Sequence, residues 1–307
     1  MSARLGVFGA AVSALLVYGF TAGPASDAAH AAKPASAAAA ARVDNFLLVD
    51  ANFEAHELYR MSDAKAVVLV TQSNGDAVTR ALAPTLKALK AAYGAKGVEF
   101  MMLNSNLKDT RDAIAAEGQK VGYDTPILMD SYQLVGESLG VTRSAEVIVI
   151  DPKTWSVAWR GALADAGAAK ALDALTAGQQ VAMAAGPASK GAAIAFPART
   201  DKVQLTYVKD VAPILEKRCV ACHEEGGIGP FAMKDYATVK GFSPMIREVI
   251  RTDRMPPFHA DPHVGKFSND RRLSPDETKT LVHWIDQGSP RGEGVDPLGS
   301  KHLVAEE

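Results

Sequence analysis

Cys219-Val220-Ala221-Cys222-His223 sets the terms for the C-terminal half of the chain. Two thiols three apart, with a histidine immediately after, form the attachment signature of a c-type haem. The thiols add across the two vinyl groups to give thioethers, and the adjoining imidazole then meets the iron from one face. A covalent tether lets a small domain hold a large group without a large core. The alternatives are a chance pair, a disulfide or half of a zinc site. A zinc site takes a second ligand pair at matching spacing, and the chain has only two cysteines. A thioredoxin-type Cys-x-x-Cys lies in a βαβ pattern, opening a helix after a strand, whereas the residues before Cys219 read as helix.

Upstream, Asp210 is placed to cap a helix whose first turn holds Pro213, with Val211, Ile214 and Leu215 facing inward and Cys219 ending it. Downstream, Ser274-Pro275-Asp276-Glu277 is a capping box with proline at the first helical position. Leu281, Trp284 and Ile285 form the apolar face of that helix, and Gly288 and Pro290 close it. An iron that only moves electrons needs a second axial ligand. Met233, Met245, Met255, His259, His263 and His283 are the downstream candidates. Met255 is favoured because Arg254-Met255-Pro256-Pro257 stiffens the chain beside the sulfur, and a weak thioether bond holds best on a loop that cannot wander. Met233 and Met245 read as core residues and His283 as a surface or edge residue. Pro262 between His259 and His263 argues against a helical metal pair. Arg251, Arg254, Arg271 and Arg272 could neutralise haem propionates or form a solvated basic face.

Within the expected haem domain over residues 205–292, Val208 to Gly292 resembles the monohaem cytochrome c domains that follow redoxin or copper-monooxygenase domains in bacterial fusion proteins. The matching strings are Asp210 to Leu215, Cys219 to His223, Gly229-Pro230-Phe231, Arg254 to Pro257, Ala260-Asp261-Pro262 and Phe267 to Asp270. The resemblance implies an all-α haem domain in which the proline after the motif, here Pro230, orients the proximal imidazole, often through its carbonyl. Phe258 stands where such relatives commonly carry Trp.

In the N-terminal half, Ala66-Val67-Val68-Leu69-Val70 is a short β-branched run, as a buried parallel strand requires. Asp76 to Tyr93 carries Val78, Leu82, Leu86, Leu89 and Tyr93 at helical spacing, with Gly94 as a stop and a kink at Pro84. A strand over 98–103, a helix over 107–118 and a short helix over 132–139 follow. Strands over 146–150 and 155–160 flank the turn Asp151 to Thr154, and a last helix spans 165–183. Strands alternating with helices and ending in a hairpin give a small α/β sandwich. The order resembles the thioredoxin fold, and more closely its redoxin branch related to peroxiredoxins, on Ala83 to Leu89, Val98 to Asn104 and Thr142 to Asp151. Members with redox activity keep a cysteine between the first strand and the kinked helix, and here Gln72-Ser73-Asn74-Gly75-Asp76 has none. Their cis-proline before the Glu146 strand is replaced by Ala145. Without a thiol there is no nucleophile for peroxide reduction or disulfide exchange. The expectation is a redox-dead scaffold or docking module over residues 43–183. A linker over 184–204 is rich in small residues and glycine, with Ile194 and Phe196 to pin it.

The whole chain is 307 residues with 48% hydrophobic content and a net charge of −2. Those numbers fit about two globular domains and point to neither nucleic acid nor a charged membrane-surface patch. Arg4, an uncharged run from Leu5 to Phe20 and Ala29-His30-Ala31 predict a secretory signal over 1–31, cut before Ala32. An uncleaved anchor is the alternative, since the run slightly exceeds the usual signal core yet falls short of the ~20 residues of a spanning helix. Residues 32–42 read as an Ala-rich tether and 293–307 as a C-terminal tail.

These readings predict an α/β thioredoxin-like domain followed by a small all-α cytochrome c domain. The chain would be a periplasmic electron carrier rather than an enzyme, with one covalent haem c on Cys219, Cys222, His223, Pro230 and Met255. Its partners would be a redox donor and acceptor, or a larger membrane or periplasmic complex. The rivals are a haem peroxidase or small-ligand sensor with an open sixth site, and a structural subunit of a respiratory or oxidoreductase complex.

Overall fold

Strand β3 (Ala66–Gln72) is buried along its whole length. A strand with both faces covered must be apolar on both, hence the unbroken run rather than an alternating one. It is known here from a computed structural model that describes residues 42–197, 203–257, 265–268 and 270–299. The expected signal segment, the tether up to residue 41, Phe258 to His263 and the last eight residues lie outside the described residues.

The chain opens with a hairpin of β1 (Leu47–Val49) and β2 (Ala55–Glu57), which the sequence pattern did not predict. After β3 come α1 (Ala77–Ala81) and α2 (Ala83–Tyr93), then β4 (Val98–Asn104), α3 (Arg111–Val121), β5 (Ile127–Met129) and α4 (Leu134–Ser138). Next are β6 (Glu146–Asp151), β7 (Ser156–Ala162), α5 (Gly167–Thr176) and β8 (Ala184–Ala185). The main sheet runs β5-β4-β3-β6-β7-β8. Strands β3, β4 and β5 are parallel, while β6 and β7 return antiparallel. This mixed α/β sheet, with a parallel βαβαβ half and an antiparallel hairpin, resembles a thioredoxin-like fold. Alternate residues of β3 feed the two cores. Val68 and Val70 face α2, α3 and α5, and Val67 and Leu69 face the β1–β2 hairpin and α4.

Three helix boundaries differ from expectation for local reasons. The helix foreseen from Tyr93 back to Asp76 breaks at Leu82, and Asp76 caps its first piece through the Val78 and Thr79 N–H groups. The helix expected over 107–118 starts at Arg111. Asn104 and Asn106 side chains accept from the N–H groups two residues on, which favours turns over helix, and Thr110 supplies the cap. The helix expected to reach Met183 ends at Thr176, closed by Gly178 at φ +76°, a conformation suited to glycine.

Residues 184–204 start as sheet: Ala184 and Ala185 pair with Trp159 and Arg160. Ile194 and Phe196 are then buried in the core beneath α4, as foreseen. The remaining helices are α6 (Ala212–Arg218), entered through a π-turn over Tyr207–Val211, α7 (Tyr236–Gly241), α8 (Ser243–Arg251) and α9 (Pro275–Asp286). Asp210 is not the cap assigned to it. It sits inside the π-turn and accepts from the Thr206 N–H at 2.7 Å. The capping box at Ser274 and Glu277 forms in full. Tyr207, Leu215, Leu281 and Trp284 centre this helical core, and Leu298 joins it from the segment read as a tail. Asp296 accepts from the Tyr207 hydroxyl and the Tyr236 N–H.

All described residues belong to one compact unit. Helices α8 and α9 lie against the thioredoxin-like part through polar bonds. Arg247 reaches Asp44 at 2.8 Å, and Glu137 takes Lys279 at 3.0 Å and His283 at 2.8 Å. Among the described residues no helix is long and apolar enough to cross a membrane.

Candidate functional site

Helix α6 ends at Arg218, and the five residues after it coil into one tight turn. Cys222 and His223 N–H groups both donate to the Cys219 carbonyl, at 3.1 and 3.0 Å. This places Cys219, Cys222 and His223 along one cleft of about 170 Å³, with Ile228, Pro230, Phe231, Met233, Met245, Val249, Ile250, Met255 and Arg271. All five residues singled out as cofactor ligands or supports therefore line the same surface.

The imidazole is oriented by the backbone. His223 Nδ1 lies 3.0 Å from the carbonyl oxygen of Phe231. A carbonyl only accepts, so Nδ1 carries the proton and Nε2 keeps the lone pair that a metal would take. The bond expected from the Pro230 carbonyl is thus made one residue later. Pro230 lines the cleft and directs the chain, while Phe231 also packs its ring on the imidazole and on Phe242. Gly229 makes this approach feasible. Its N–H donates to the Cys222 carbonyl at 2.7 Å, and a Cβ there would lie 2.7 Å from His223 Nδ1.

Cys219 is not set up as a redox thiol. Both cysteines are free, and burial, followed by the charge of Glu277, pushes the Cys219 thiol up to about 12. A reactive thiol has the opposite shift.

The methionines divide otherwise than the pattern suggested. Met233 is buried as foreseen, but Met245 is 51% exposed on the cleft rim, beside Ile228 at 86%. Met255 is half-buried, and its N–H donates to the Val249 carbonyl at 3.2 Å. His283, expected at a surface or edge, lies 2.8 Å from Glu137 in the seam with the thioredoxin-like part. His259 and His263 lie outside the described residues. Of the four arginines considered for propionates, Arg271 lines the cleft, with Nη1 3.5 Å from Cys222 Sγ. Arg251 is buried in the seam, Arg254 meets Glu248 and Arg272 meets Asp270.

In the thioredoxin-like half, the cysteine-free loop after β3 is filled by hydrogen bonds. Asn104 joins Gln72 and Asp109, Asn106 donates to Ser73, and Asp109 accepts from the Asn74 N–H. Burial favours a raised Asp76 carboxyl, but bonds from Thr79 and Ser144 outweigh it and hold the group below the usual range. Ala145 takes a left-handed φ of 57°. The segment after Gly186 then crosses this surface and makes a single antiparallel bridge to Arg143 at Ala193. Ser144 N–H donates to Ala192 O and Ile194 N–H to Thr142 O, both at 2.9 Å. Ala192 N–H reaches Asp76 at 3.3 Å.

Two other features lie outside the Cys219–His223 turn. Asp50, Glu54 and His56 cluster at the β1–β2 turn. There Asp50 accepts from two N–H groups and lies 3.1 Å from His56, which closes the hairpin. A cavity of about 640 Å³ lies between the ends of β4 and β5 and the helical part, sharing Arg218 and Leu273 with the cleft.

No protein-family model and no curated protein matches the chain. Among solved structures, a hypothetical protein of Sinorhizobium meliloti is 23% identical, with a TM-score of 0.46, over 50% of this chain and 92% of its own. An uncharacterized conserved protein of Geobacillus kaustophilus is also 23% identical, with a TM-score of 0.47, over 53% of this chain and 94% of its own. A peroxidoxin of Mycobacterium tuberculosis is 21% identical, with a TM-score of 0.39, over 46% of this chain and 97% of its own. The thioredoxin-like assignment rests on the sheet order and connections described above.

Proposed function

We propose that this chain is an exported, periplasmic electron carrier with one haem c in the cleft after α6, and that its thioredoxin-like half has no thiol chemistry of its own. The observation that carries the reading is the convergence of Cys219, Cys222, a His223 imidazole pinned through Nδ1, and Met255 on one apolar cleft. The residues fit such a group. The cleft is smaller than the roughly 300–1,000 Å³ of sites that swallow a ligand, and its rim exposes Ile228 and Met245. A flat apolar group tethered there would cover that rim and leave one edge in solvent.

A haem c held there supplies a one-electron ferric/ferrous couple, which His/Met ligation tunes to a relatively high potential. The protein's own work is to hold and orient. Cys219 and Cys222 provide the covalent anchors, and His223 presents Nε2 because Nδ1 is committed to Phe231. Met255 would supply the second ligand from the same cleft, and Arg271 puts a positive charge on the wall. One such group can only relay, so a donor and an acceptor are required partners.

The thiol-less half contributes a frame. The loop at 72–76 carries hydrogen bonds instead of a thiol, and the segment at 192–194 bridges beside it to Arg143 and Asp76. The test is the absorption spectrum of the purified exported protein, ferric and ferrous. A low-spin ferric spectrum with the weak long-wavelength sulfur-to-iron band, lost in Met255→Ala, is expected. A high-spin ferric spectrum that shifts with peroxide would replace this reading with a peroxidase or sensor. Turnover of peroxide with a thiol donor by the full chain would overturn the thiol-less part.

A further inference from the structure

We propose that the thioredoxin-like half holds the Met255 arm of the cleft in position, with Arg251 as the positioning residue; this rests on the haem reading above. Helix α8 runs along the cleft and contributes Met245, Ile246, Val249 and Ile250 to its wall. The chain after α8 folds back on the helix. The Arg254 and Met255 N–H groups both donate to the Val249 carbonyl, at 2.8 and 3.2 Å. Where Met255 sits is therefore decided by where the last turn of α8 sits.

That turn is anchored across the seam. Arg251, its last residue, is 5% exposed. Its Nε donates to the Asn45 carbonyl at 3.3 Å, Nη1 to the Leu134 carbonyl at 3.5 Å and Nη2 to Ser138 Oγ at 3.3 Å. All three acceptors belong to the thioredoxin-like half, two of them on α4. Asn45 also donates to Glu248 at 3.1 Å, and Asp44 accepts from Arg247. Three of the last five residues of α8 are thus bonded to the other half.

A guanidinium suits this task. Its planar fork holds its donors in a fixed geometry, whereas an ammonium is a point charge on a flexible stem. A buried donor left unpaired is expensive, so α4 and the end of α8 stay in register. With haem bound, the consequence would fall on the hold of Met255. A thioether is a weak ligand, and an arm free to drift would yield to outside ligands. The half without thiols would then be what keeps the protein a carrier rather than a ligand binder.

The test uses the exported full-length protein with its haem. The readouts are the Met255-dependent band and the affinity of the ferric form for imidazole. Arg251→Met should weaken the band and tighten imidazole binding about tenfold, the lower end for disturbing a supporting shell. Arg251→Lys, which keeps the charge and loses the fork, should give about a threefold effect and decides the matter if the first variant does not accumulate. Glu137→Gln, which loosens α4 from α9 instead of α8, should leave imidazole affinity within about twofold of wild type. Folded Arg251 variants with the wild-type band and imidazole affinity would overturn the inference alone. A wild-type protein without a Met255-dependent band would overturn the ligand reading itself, and the inference with it.

Discussion

Replacing Gly229 by alanine tests whether the cleft is built on the close approach of one backbone segment to the His223 ring. The added Cβ would lie 2.7 Å from Nδ1 and 2.8 Å from both Cγ of the ring and the Cys222 carbonyl oxygen. Two of these atoms belong to the imidazole and one to backbone, so relief comes only by turning the ring or opening the turn. Overpacking of this kind costs about 1–3 kcal/mol. Turning the ring also breaks the 3.0 Å bond from Nδ1 to Phe231, worth about 1 kcal/mol. The sum is about 2–4 kcal/mol, a large part of the ~5–15 kcal/mol that holds a typical protein folded. At about 2–4 °C per kcal/mol for a unit of this size, Tm should fall by about 5–15 °C. The assay is thermal unfolding of the full chain, beside Gly241→Ala as a control. Gly241 closes α7 with nothing within 4 Å of its added Cβ, so the same substitution there should be neutral or stabilise by up to about 1 kcal/mol. If Gly229→Ala melts within a degree or so of Gly241→Ala, the argument from close approach is wrong.

The seam should respond to acid. Burial alone would raise the Glu137 carboxyl, but hydrogen bonds from His283 and Lys279 outweigh it and hold the group below its ordinary 4.5. A carboxyl depressed on folding contributes stability that is complete above about pH 4.5 and lost as pH falls through the lower folded value. Glu137→Gln should cost about 2 kcal/mol near neutrality and flatten that acid limb; an unchanged urea midpoint between pH 3 and 6 would count against the pairing. Phe196→Ala removes a side chain that is 7% exposed and packs on Gly136. It should cost about 3–5 kcal/mol and open residues 186–197 to protease, whereas wild-type cleavage rates would mean that the segment is not docked. Met255→Ala should abolish the long-wavelength band while haem stays covalently attached, and loss of attachment would point to a role in assembly instead of ligation.

Much of the architecture is written locally. The run Ala66 to Val70, the capping box at Ser274 and Glu277, the turn after Asp151 and the Cys-x-x-Cys-His string each depend on a few neighbouring residues. Spacing alone is enough to single them out, and the missing thiol at 72–76 and the alanine at 145 are equally plain from the residues. The β1–β2 hairpin and the helices α7 and α8 went unread because each element is short, three residues per strand and six and nine per helix, too few for a period to show.

What lies beyond the sequence is a set of contacts between residues far apart in the chain. Only the folded turn shows that the imidazole meets the carbonyl of Phe231 rather than that of Pro230, because a one-residue shift in a loop leaves no trace in spacing. His283 looks like a surface histidine on its own helix, and it pairs with Glu137, 146 positions earlier. Arg251 looks like a propionate partner until α4 is packed against α8 and its fork is taken up by Asn45, Leu134 and Ser138. By itself the sequence determined which side chains can do chemistry and which helices and strands carry them. Which of those side chains are spent on holding the two halves together, and which line the cleft, depended on tertiary packing, since burial and partner choice are properties of a neighbourhood assembled from the whole chain.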